Sequence, residues 1–161
     1  SGGGGKIGQV LQSVQLATQT FSGIGTNWND CTNLTVNITP SASNSKVLIS
    51  CDVSTGSSNG GWNYKTRLMR GSTQIYLASS LGSRPSVFGH VDAQRTGTQY
   101  NMWKMSATFL DSPSSSSQQT YKIQLQQNST SATSYVNRTH DDGSPDQSRG
   151  VSSITVMEVL A

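Results

Sequence analysis

The sequence holds two histidines, His90 and His140, and neither has a cysteine or a second histidine at a spacing that would complete a zinc site. One acidic cluster follows His140, with Asp141, Asp142 and Asp146 set among Gly143 and Pro145. Oxygen-rich loops of this kind hold calcium, but a solvated turn has the same composition and the spacing misses the EF-hand pattern. No serine stands in a nucleophile elbow, and no Gly-rich loop opens a helix. The carboxylates Asp30, Asp52, Asp92, Asp111, Asp141, Asp142, Asp146 and Glu158 are scattered and offer no preferred acid–base pair. These residues predict no catalytic centre and no cofactor.

Binding chemistry is better represented. Aromatic side chains stack on sugar rings, and neighbouring amides and guanidinium groups bond the hydroxyls. Trp62, Asn63 and Tyr64 beside a Gly-rich loop fit that pattern, as do Tyr135, Asn137, Arg138 and His140 in a late polar stretch. Trp28 is a third candidate. Each set also has a plain structural reading, in which Trp62 and Tyr64 pack on the core and Tyr135 anchors its loop.

The elements that would position these groups are strands. No window repeats apolar residues at three and four, and turn formers interrupt the chain every ten to fifteen residues or so. A first strand is expected from Lys6 to Thr20, broken near Gln15. Leu34, Val36 and Ile38 alternate with polar residues, as do Val47, Ile49, Cys51 and Val53, and the two runs read as a hairpin closed by Pro40 to Ser45. A second hairpin joins Tyr64, Thr66 and Leu68 to Ile75 and Leu77 through Arg70–Thr73, with Gly71 in the turn. Residues 79–99 read as long loops around a short strand near Val87, Phe88 and Val91. Met102 to Leu110, then Tyr121 to Leu125, a short strand at Tyr135 to Arg138 and a final strand from Val151 to Leu160 complete the set.

Hydrophobic residues make up 32% and charged residues 12% of the 161, while Ser and Thr together exceed a quarter. Disordered chains combine low hydrophobicity with high net charge, and a formal charge of +3 lacks the second half of that signature. The basic residues form no tract longer than two, which argues against nucleic-acid binding, and no apolar run reaches the length of a membrane span. Residues 1–5 read as a flexible Gly-rich linker, native or left by cloning, ahead of one domain at 6–161. In the hairpin register Cys51 lies opposite Leu34, which puts Cys31 out of reach; Cys51 reads as a small core residue and no disulfide is expected.

Eight to ten strands without a covering helix predict an all-β, antiparallel β-sandwich, with a jelly roll as the natural candidate. Two of these strands are apolar on both faces. Met102 and Trp103 in one, and Ile154 and Met157 in the other, imply a second buried face. Self-association about a symmetry axis would supply it; loops folded over that face are the alternative.

Several segments carry a further resemblance: GKIGQVLQSVQ at Gly5 to Gln15, NITPSASNSKVLI at Asn37 to Ile49, RLMRGSTQIY at Arg67 to Tyr76, FLDSP at Phe109 to Pro113, TYKIQL at Thr120 to Leu125, and NRT followed by SSITVMEV at Ser152 to Val159. In order and spacing they resemble the C-terminal domains of tail-fibre and related virion structural proteins of marine, cyanophage-like bacteriophages. The resemblance implies a homotrimeric jelly roll of the C1q and tumour-necrosis-factor type whose inner sheets meet at the axis; the two-faced strands place Met102, Trp103, Ile154 and Met157 at that interface. It implies a non-catalytic receptor-binding domain on a virion tail fibre, acting outside the cell on a bacterial surface glycan or protein. A purely structural trimerisation or decoration domain, and a carbohydrate-binding module of a secreted enzyme, are the alternatives. The matched segments are strands and turns, so they carry no ligand residue.

Overall fold

The computed structural model describes residues 5–58, 63–79, 82–93 and 97–161; most of the expected linker and Trp62 lie outside them. Eleven strands run through these residues: β1 (Ile7–Gln15), β2 (Gln19–Ser22), β3 (Asn29–Ile38), β4 (Lys46–Ser57), β5 (Tyr64–Arg70), β6 (Thr73–Ile75), β7 (Gly89–Val91), β8 (Met102–Asp111), β9 (Gln119–Gln127), β10 (Thr133–Val136) and β11 (Ser152–Val159). A single 3-10 turn covers Thr98–Tyr100. Among the described residues no helix is long and apolar enough to cross a membrane.

All strand pairing is antiparallel and divides the strands into two sheets. In the first, β4 pairs with β8 along one edge; along the other it pairs with β11 over its first half and β10 over its second. β1 then adds to β11, and β2 to β10. The second sheet runs β3, β9, β5, and then β6 and β7 side by side along the outer edge of β5. Three of these lines are broken strands: β1 with β2, β6 with β7, and β10 with β11 each share one line. Each sheet is therefore four lines wide.

The inner faces alternate as a period of two requires. Ile154, Cys51 and Ala107 meet in one row of the first sheet, and Val156, Ile49 and Phe109 in the next. Leu34, Val36, Ile38, Tyr121, Ile123, Leu125 and Leu68 answer from the second sheet and bury in the same core. Each fully buried aliphatic side chain contributes about 1.5–3 kcal/mol. At one end Arg70 of β5 and Tyr121 of β9 both donate to Asp111 Oδ2 of β8, at 2.7 Å each, and so tie the sheets together.

The fold corrects the first expected hairpin. Both runs are strands with the expected inner faces, but β3 pairs with β9 and β4 with β8, β10 and β11, so the runs lie in opposite sheets. Alternation fixes which face is buried, not which strand is the neighbour, and residues 39–45 are long enough to cross the roughly 10 Å between packed sheets. The register that set Cys31 apart from Cys51 therefore does not exist. Both thiols are nonetheless free and buried. The second hairpin forms with Leu68 opposite Ile75 and Gly71 at φ +56 in the turn, but its return strand ends at Ile75 and the expected Leu77 lies beyond it, exposed.

The residues expected at an association interface divide between the faces. Ile154 is fully buried in the core, and Trp103 points inward with its ring edge against Tyr64, centroids 6.3 Å apart. Ile154 therefore cannot meet another subunit, and Trp103, partly buried, packs its ring on the core. Met102 and Met157 do face outward, each half-buried. Met102 is screened by the chain's own late loop: a methyl group added at Gly150 would lie 3.1 Å from its sulfur.

Candidate recognition surfaces

Between β10 and β11 the chain leaves its line at Asn137 and returns at Gly150, whose N–H donates to Asn137 O at 3.1 Å. Asn137 is fully buried and left-handed, at φ +63. Its amide donates to Gln15 O and Ala17 O, and its Oδ1 accepts from Ser152 Oγ. It thus stitches the break in β10–β11 to the break in β1–β2, and no ligand can reach it. That corrects its expected place among the ligand-binding residues.

The residues around it do come together. Tyr135 Oη lies 2.6 Å from His140 Nδ1, and the Arg138 guanidinium sits 4.6 Å from the Tyr135 ring centre. Tyr135 is itself largely buried, and that burial pushes its phenol upward from the usual value. Asp142 is bracketed by Arg149 at 2.7 Å and Arg138 at 3.6 Å, and the Arg149 hydrogen bond holds its carboxyl below the ordinary range. The backbone N–H groups of His140 and Asp141 both donate to Gln99 O, which fixes the loop against the 3-10 turn. The exposed edge of this cluster consists of His140, Asp141, Arg149 and, beyond Gln99, Tyr100 at 59% exposure.

This arrangement is unsuited to calcium. Two arginines occupy the Asp142 carboxylate, so Asp141 and Asp146 gain no third ligand from it. No group of three acidic, histidine or cysteine side chains among the described residues could hold a metal ion.

Of the other expected sugar-binding set, Tyr64 and Asn63 are described. Tyr64 is fully buried with its hydroxyl 3.0 Å from Thr55 Oγ1, and burial raises its phenol far above normal. Asn63 is half-buried, and its carbonyl accepts from Asn128 N. Trp62 lies outside the described residues.

Two surfaces, around the expected Met157 and Trp28, are completed only across strands. On the outer face of the first sheet Val10, Met157, Leu48 and Leu110 stand in one register row spanning β1, β11, β4 and β8. Val10 is 56% and Leu110 44% exposed. Beside the row a shallow depression of about 690 Å³ is lined by Leu110, Val159 and Leu160 together with Lys6 and Lys46. On the outer face of the second sheet Trp28 stacks on Arg67, with the guanidinium carbon 4.2 Å from the ring centre.

No protein-family model matches the chain, and no curated protein matches it.

Proposed function

We propose that the chain is a non-catalytic, homotrimeric receptor-binding domain of a phage tail fibre, attaching a virion to a glycan or protein on a bacterial surface. The observation that carries the association is the row Val10, Met157, Leu48 and Leu110. Four apolar side chains crossing a whole sheet on its water-facing side are unusual for a lone sandwich. The late loop reaches this face at Ser54 and Met102, and Val10 and Leu110 of the row remain exposed.

Strand order supports a jelly roll within this reading. With broken lines counted once there are eight strands: the first neighbours the eighth, the eighth the third and the third the sixth, while the second neighbours the seventh, the seventh the fourth and the fourth the fifth. That wiring is two nested Greek keys. The number three and the virion setting come from the resemblance of the strand and turn segments. Three linked sites would make weak contacts sufficient.

Light scattering on the chain tests the association, with a mass near three chains expected and a stable single-chain mass overturning it. Leu48→Lys with Met157→Lys should shift that mass to one chain while the β circular dichroism persists. Retention of the domain on one host surface, against uniform absence of binding, separates recognition from a purely structural role.

A further inference from the structure

We infer that the outer face of the second sheet is a binding platform for an acidic polysaccharide, with Arg67 and Lys65 meeting its carboxylates and the Trp28 indole stacking on a sugar ring. This names the ligand class for the recognition role proposed above and rests on that role, but on neither the trimer nor the late loop.

Register gathers charges that are far apart in sequence. Lys65, Arg67 and Lys122 occupy adjoining outward positions of β5 and β9, and Asp30 is the one carboxylate among the outward positions of this sheet. A scan along the chain misses the cluster because every second residue of a strand points inward. The net positive balance selects an anion.

The groups are also held in place. Arg67 donates through Nε and Nη2 to Gln124 Oε1, at 2.8 and 2.6 Å, and through Nη1 to Gln74 Oε1 at 3.4 Å. Gln124 Nε2 in turn donates to Asp30 Oδ1 at 2.7 Å, and Lys122 Nζ to Asp30 Oδ2 at 2.9 Å. Ordering several long side chains on a water-facing sheet costs rotamer entropy, and exposed pairs return little of it as stability. The same order is an advantage in binding, since the ligand then meets groups already in position. Arg67 has five N–H donors, and these three bonds leave two uncommitted among the described residues. Its direct partners are neutral amides and an indole, while Asp30, the carboxylate that attracts it, is hydrogen-bonded to Lys122 and Gln124 instead. An incoming carboxylate supplies the missing partner, and the exposed remainder of the indole supplies the stacking surface.

A nucleic acid fits less well. Its affinity grows with the number of phosphates neutralised, and Lys122 is already paired with Asp30.

Tryptophan fluorescence and calorimetry on the full chain, titrated with alginate-derived polyuronate fragments, neutral dextran and a single-stranded DNA oligonucleotide, test the platform. Polyuronate should bind, dextran should not, and DNA should bind more weakly at equal ionic strength. Arg67→Gln and Trp28→Ala should each weaken polyuronate about tenfold or more, and Lys65→Gln by a smaller factor, with circular dichroism melts reporting folding. Lys104→Gln, on the other sheet, should change nothing. Absence of polyuronate binding, DNA binding as tight as polyuronate, or indifference to Arg67→Gln and Lys65→Gln would each overturn the platform. If bacterial cells still retain the chain in such a case, the recognition role survives without it; if no surface retains the chain, both fail.

Discussion

Glu158 is the place where acid should act on this fold. It occupies an inward position of β11 and is 1% exposed, beneath the segment that crosses from β3 to β4. Its Oε1 accepts from Ser41 Oγ and Ser41 N at 2.6 Å each, and its Oε2 from Gln9 Nε2 at 2.8 Å. Chiefly through the Ser41 hydroxyl, and against the cost of burial, these bonds hold its carboxyl at about 2, compared with an ordinary 4.5. The native state therefore takes up this proton less readily than the unfolded chain does. By linkage the depression corresponds to about 3 kcal/mol, fully present above about pH 4.5 and lost progressively as pH falls toward about 2. Urea unfolding followed by tryptophan fluorescence, at fixed protein concentration and a series of pH values, measures it. Glu158→Gln should be less stable near neutrality and should lose less stability on acidification, with the two proteins converging by about 3 kcal/mol at the acid end. Other carboxylates titrate in both proteins and cancel in the difference. Parallel stability curves for the two proteins across that range would refute the reasoning.

Asn137→Ala removes three side-chain hydrogen bonds and places alanine at φ +63, so a loss of about 2–4 kcal/mol is expected in urea unfolding; Asn137→Gly, which tolerates that backbone, should recover only part of it. Cys31 and Cys51 should resist thiol reagents in the native state and react on unfolding, because burial pushes the Cys51 thiol up to about 12 and the Cys31 thiol higher still. Asp142→Asn removes the ion pairs to Arg149 and Arg138 and should speed proteolysis within residues 137–150, with the melting temperature nearly unchanged.

Face was easier to read from the sequence than neighbour. The alternation at Leu34 to Ile38, Val47 to Val53 and Tyr121 to Leu125 gave the inner residues correctly, since a period of two leaves no other choice. The partner of β3 was not readable, because a loop of seven residues or so joins strands within one sheet or across two equally well. The two-faced strands were half understood. Ile154 belongs to the core and Trp103 packs against it, and the open row needed Val10, Leu48 and Leu110 as well as Met157, a set visible only once four strands are in register. At the late loop nearness in sequence does bring Tyr135, Arg138 and His140 into contact. Asn137 was misjudged there because amides serve structure and ligands with the same atoms. The Trp28 platform shows the same limit: its chemistry was present, but Arg67, Lys122 and Asp30 meet only through pairing.

The broken line of β10 and β11 has a consequence for how such a domain can change. The excursion from Asn137 to Gly150 departs from and rejoins one strand track, and its base is closed by the Gly150 to Asn137 hydrogen bond and the Arg138–Arg149 bridge. Lengthening it shifts no register elsewhere, and each doubling costs only about 0.6 kcal/mol in closure entropy. The segment behaves as a cassette. Natural variation or deliberate grafting can exchange its contents, provided that Asn137, Gly150 and Ser152 are kept as the clasp.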